Sequence, residues 1–128
     1  MTIELELLVW SVALAFAQML ISVSGATLEV GLPTLAGNRE PVPNPTGWAG
    51  RARRAHLNML ENLVLFAALV LVAVAAQRTN PVTAYGAHIF FWARLVYAFV
   101  YLAGIPWLRT AVWGVSAIGL VMIFSQVV

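Results

Sequence analysis

Four apolar runs divide this chain, and each is long enough to cross a bilayer. Crossing about 30 Å of hydrocarbon takes roughly 20 mostly apolar residues. The runs lie at about 5–23, 55–76, 82–103 and 107–128. Only 9% of the residues are charged and 62% are hydrophobic, whereas a soluble domain carries about 25% charged residues. So few charges cannot cover a water-facing surface. Backbone inside hydrocarbon must satisfy its own hydrogen bonds, so the expected fold class is all-α. The chain reads as one integral membrane domain, a four-helix bundle over residues 1–128.

The remaining segments are short. Between the first two runs lies a polar loop, about 26–50, with proline at 33, 41, 43 and 45. Repeated proline forbids a long helix there. The other connections, QRTNP and the segment around Gly104 and Pro106, read as tight turns. The sequence has no cysteine, which excludes a disulfide framework, a thiolate nucleophile and any cysteine-based metal site; no metal is expected. All positive side chains are arginine, and Arg39, Arg51, Arg53 and Arg54 fall together in or beside the long loop. The pI near 9.7 is therefore a topology signal rather than a nucleic-acid footprint. Arg109 adds to the same side, against Arg78 alone in the middle turn. The positive-inside rule then places the long loop and the last turn in the cytoplasm and both termini outside. Glu4 and Glu6 stand where a signal peptide would carry basic residues, so the first run is expected to stay as a helix.

Polar residues inside the second and third runs carry the functional signal. The uninterrupted apolar part of the second run is too short to cross, so the span must take in Asn62, Glu61 and Asn58. A lone carboxylate at that depth is costly by a few kcal/mol and needs a partner. Counted at 1.5 Å per residue, Glu61 lies about 22 Å and Arg94 about 18 Å from the outer edge. An Arg94–Glu61 ion pair is the expectation. At about 100° per residue, Arg51, Arg54, Asn58 and Glu61 fall within about 80° of one another, and Arg94, Tyr97 and Tyr101 within about 60°. Two polar stripes thus face the cytoplasmic half. With Arg109 at the start of the fourth run, the cluster has excess positive charge that an anionic phosphate or carboxylate would complete. Juxtamembrane arginines can also serve topology or anionic lipid alone, which leaves Arg51 and Arg53 open. His56 and His88 read as incidental.

The run RARRAHLNMLENLVLF resembles the second-helix signature of the MAPEG family, the membrane-associated proteins of eicosanoid and glutathione metabolism. Its form, R-x-x-R-A-x-x-N-x-x-E, is met by Arg51, Arg54, Ala55, Asn58 and Glu61. The segment ARLVYAFVYLAGIPWLR is similar to the family's R-x-x-Y-x-x-x-Y pattern, met by Arg94, Tyr97 and Tyr101, with a following basic residue at Arg109. Leu57 and Asn62 depart from some glutathione-binding members, and so does the spacing from Tyr101 to Arg109. The resemblance implies a homotrimer with glutathione bound between neighbouring subunits near the cytoplasmic side. Carried over by position, Arg54, Asn58, Glu61, Tyr97 and Tyr101 would hold the glutathione peptide, beside Arg51 and Arg94, and Arg109 would stabilise the thiolate. The implied function is a glutathione transferase or peroxidase acting on small lipophilic electrophiles or hydroperoxides that arrive through membrane lipid. The alternative is a non-catalytic protein of the same scaffold that binds lipid or another anionic amphiphile. The pattern is that of a bacterial-type member, which implies the inner membrane. No nucleic-acid partner is expected, and a transporter is disfavoured by the lack of an inverted repeat or broken helix.

Overall fold

The computed structural model describes residues 1–37 and 45–128; Arg39 and the prolines at 41 and 43 lie outside the described residues. Helix α1 spans Ile3–Val30, α2 Leu32–Ala36, α3 Gly47–Ala75, α4 Pro81–Ala103 and α5 Pro106–Val127. All but α2 are long and apolar enough to cross a membrane. Their ends follow local chemistry. The Thr2 hydroxyl accepts from the Leu5 amide at 3.3 Å, filling one of the donors left over at a helix start. At α4 the Asn80 side chain accepts from the amides of Val82 and Thr83, and the Thr83 hydroxyl accepts from the Asn80 amide. Pro81 follows at the first helical position, where its missing N–H costs nothing. Gly104, at φ +77°, closes α4 in the left-handed conformation that glycine adopts freely, and Pro106 restarts the chain as α5.

α1 and α3 reach further than the expected spans, whereas α4 and α5 agree with theirs to within a residue. α1 continues to Val30, where Gly31 caps it, and no proline interrupts it before that. α3 already begins at Gly47, so Arg51 and Arg54 are helical, as their place on the polar stripe requires. The loop shrinks accordingly and contains α2. Its far end is fastened to α1: both Glu29 carboxylate oxygens accept from the Thr46 amide at 3.0 Å, and Oε1 also accepts from the Thr46 hydroxyl at 2.7 Å.

α3 and α4 pack on each other across the middle of the bundle, with α1 against both on one side and α5 against both on the other; α1 and α5 do not meet. Lipid removes most of the hydrophobic drive between helices, leaving close packing and polar contacts to hold them. The sequence supplies both. Met59, Phe66, Val70, Ala73, Ala87, Phe90 and Ile123 are fully buried, and the Phe66 and Phe90 rings stack with centroids 4.1 Å apart. Where α4 crosses α5, a Cβ on Gly119 would stand 2.5 Å from the Gly86 carbonyl oxygen, so only glycine allows this approach. The inward stripe of α1 is largely polar, with Glu4, Ser11, Gln18 and Ser22 buried among Leu7, Ala15 and Gly25. Glu4 accepts from the Thr83 hydroxyl at 2.8 Å, and Asn80 Nδ2 donates to Gln126 Oε1 at 2.9 Å. These bonds tie α1, α4 and α5 together at the end opposite the arginine cluster.

Candidate functional site

The seam between α3 and α5 opens into a groove floored by α4. A cavity of about 340 Å³ there is lined by Arg54, Leu57, Asn58 and Glu61 of α3, Tyr97 and Tyr101 of α4, and Arg109 of α5. A second cavity of about 140 Å³ adjoins it, lined by Asn58, Tyr97, Arg109, Thr110 and Trp113. Helical periodicity aligns Arg54, Asn58 and Glu61 on one side of α3, one turn apart. The Gly104 turn folds α5 back so that Arg109, in its first turn, returns to the level of Tyr101.

Tyr101 joins the three helices. Its hydroxyl accepts from Arg54 Nε at 3.3 Å. The Arg109 guanidinium carbon lies 4.6 Å from the centre of its ring and that of Arg54 6.0 Å, both within cation–π range. Tyr97 meets Tyr101 edge-on, with centroids 5.6 Å apart. The groove therefore presents two guanidinium groups, an amide and aromatic hydroxyls against a single carboxylate, so its charge is positive. Such a donor set suits a carboxylate- or phosphate-bearing ligand. Glu61, exposed beside it, suits a ligand ammonium group.

The expected Arg94–Glu61 ion pair does not form within the chain. Arg94 is 1% exposed and donates through Nη2 to Asn58 Oδ1 at 2.8 Å, while its Nε and Nη1 have no partner. Its guanidinium carbon lies 4.1 Å over the Tyr97 ring. The difference lies in direction around the helix. The buried stripe of α3 runs through Ala55, Met59, Asn62 and Phe66, and Glu61 lies farther around the helix from it than Asn58 does. An arginine pointing inward from α4 therefore meets the amide first.

Of the residues singled out from the sequence, Arg54, Asn58, Glu61, Tyr97, Tyr101 and Arg109 line the larger cavity together. Arg51 and Arg94 line neither cavity. Arg51 Nε donates to the Leu102 carbonyl at 2.9 Å, where it satisfies the C-terminal turn of α4. His56 lies on the other side of α3 beside the Ala15 backbone, and His88 accepts from Trp92 Nε1 at 3.3 Å. Sequence reasoning missed Thr110 and Trp113 as lining residues, although Trp113 stands one helical turn beyond Arg109 and so shares its face. It also missed the inward role of Asn62, which is buried and donates to Asn58 Oδ1 at 3.2 Å and to the Asn58 backbone carbonyl at 2.8 Å.

No curated protein and no solved structure matches this chain. The model of the MAPEG family matches residues 7–128, a stretch that holds all four long helices almost entirely and every residue of the groove. By that match the chain belongs to the MAPEG family, as an integral membrane protein with four helices able to span the bilayer.

Proposed function

We propose that this protein binds glutathione in the α3–α4–α5 groove and acts as a glutathione transferase or peroxidase on lipophilic electrophiles or hydroperoxides. The observation that carries this reading is the convergence of Arg54, Asn58, Tyr101 and Arg109 with the lone carboxylate of Glu61 in one groove. That set fits the two carboxylates and one ammonium group of glutathione. Family membership supports a glutathione-related role in general. Bound glutathione would supply the nucleophilic sulfur. A free thiol titrates near 8.5, and a neighbouring guanidinium or helix N-terminus lowers that value. Arg109 is both cationic and in the first turn of α5, so it is the residue to hold a thiolate. Arg54 and Asn58 would bind the peptide. Leu57 and Trp113 supply apolar lining beside the arginines, where a substrate from the bilayer would approach.

The groove is open on the side away from α4, and a second copy of the chain would wall it. The homotrimer that the family resemblance implies, with ligand held between neighbours, would close it in this way. Arginine placement supports an inner-membrane orientation with the groove toward the cytoplasm and both termini outside. A second reading, a non-catalytic protein that binds lipid or another anionic amphiphile, draws on the same pairing of arginines with Leu57 and Trp113. The test is turnover by the purified protein of glutathione with 1-chloro-2,4-dinitrobenzene or cumene hydroperoxide, beside an Arg109→Ala control. Turnover in one of the assays, lost in the control, supports the enzyme. No turnover in either assay, with no thermal shift on adding glutathione, overturns the enzyme and favours the second reading.

A further inference from the structure

Asn58 lines both cavities and stands at their junction. Its Oδ1 accepts from Arg94 Nη2 at 2.8 Å and from Asn62 Nδ2 at 3.2 Å. An amide oxygen has two lone pairs, and an arginine is a donor only. Both lone pairs are therefore in use, and turning the amide over would set N–H against N–H. The Asn58 Nδ2 group donates to no described residue, and the groove is the open space beside it. Arg94 cannot reach a ligand there directly: it is 1% exposed and lines neither cavity.

We infer that Arg94 is a positioning residue: it locks the Asn58 amide so that N–H groups, not the carbonyl, face the groove, which then selects a hydrogen-bond acceptor at that point. A carboxylate or peptide carbonyl oxygen of the ligand meets the requirement. The ligand half of this inference rests on the proposed glutathione reading; the locked amide does not.

Asn58→Asp separates the two halves. It keeps an acceptor for Arg94, now as a half-buried carboxylate that can also take the unpartnered Nε or Nη1, but it presents a second acceptor to the groove. The expected result is an unfolding temperature in detergent at or above that of the unmodified protein, with glutathione affinity lower by about tenfold or more. Arg94→Lys, which still donates to Asn58, should retain most of the affinity that Arg94→Met loses. Unchanged affinity in Asn58→Asp overturns the inference, because a purely architectural contact would leave binding intact. If the unmodified protein binds no glutathione, the functional reading fails and the melting temperatures decide the locked amide. Asn58→Asp should then melt no lower than the unmodified protein, and Asn58→Asp with Arg94→Met far below it. An Asn58→Asp protein that melts as low as the double variant, or does not fold, overturns the inference.

Discussion

A buried carboxylate near one end of this bundle and a buried guanidinium near the middle of α4 are each held by neutral partners. Glu4, 3% exposed, is held by the Thr83 hydroxyl. Arg94 is held by the Asn58 amide and the Tyr97 ring face. Removing a donor from a buried acceptor costs the desolvation that the bond had offset. Thr83→Val should therefore destabilise the protein by about 1–3 kcal/mol, read as a lowered unfolding temperature in detergent; no change would show that Glu4 finds another donor. In the groove, Arg109 faces the site where the thiolate is proposed to lie. Arg109→Ala should lower kcat by about a hundredfold, as loss of a preorganised charge-stabilising donor does, while leaving the melting temperature close to that of the unmodified protein. At this scale the groove was readable because a motif on α3 and one on α4 repeat at helical spacing. The Arg94 partner was not, because depth follows from counting residues, whereas facing depends on where the packed stripe of α3 runs.

The elements owe their limits to a few residues. Thr2, the Asn80–Pro81–Thr83 start, Gly104 and Pro106 can all be read directly as helix signals. The extent of α3 cannot: its first two turns hold Gly50, Arg51, Arg53 and Arg54, and no apolar run marks them. Thr46, at the cap position before that start, is held by Glu29 of α1, a contact between residues on either side of the loop. The meeting of α4 and α5 is likewise invisible to periodicity, since it depends on Gly86 and Gly119 falling opposite each other. Gly119→Ala would place a methyl group 2.5 Å from the Gly86 carbonyl oxygen and 2.9 Å from the Phe90 amide nitrogen, and neither backbone atom can yield cheaply. The expected loss is about 1–3 kcal/mol, with Arg109 displaced along with α5. Gly114, with open space around its Cβ position, is the matched control: Gly114→Ala should melt at or slightly above the unmodified protein.

The whole molecule divides its polar groups by position. One end joins Glu4, Thr83, Asn80 and Gln126 into contacts that pin three helices. The other gathers Arg54, Asn58, Tyr101 and Arg109 around open space, with only some of their hydrogen-bonding capacity used. Groups that pair with one another hold the bundle; groups left facing a cavity are available to a ligand. Glutathione is the ligand proposed for that cationic groove. Calorimetric titration of glutathione into the purified protein, alongside Arg54→Ala and Arg109→Ala, tests it most directly. The expected result is saturable binding by the unmodified protein and affinity about tenfold or more weaker in each variant. Absence of binding, or binding that neither substitution weakens, would contradict it.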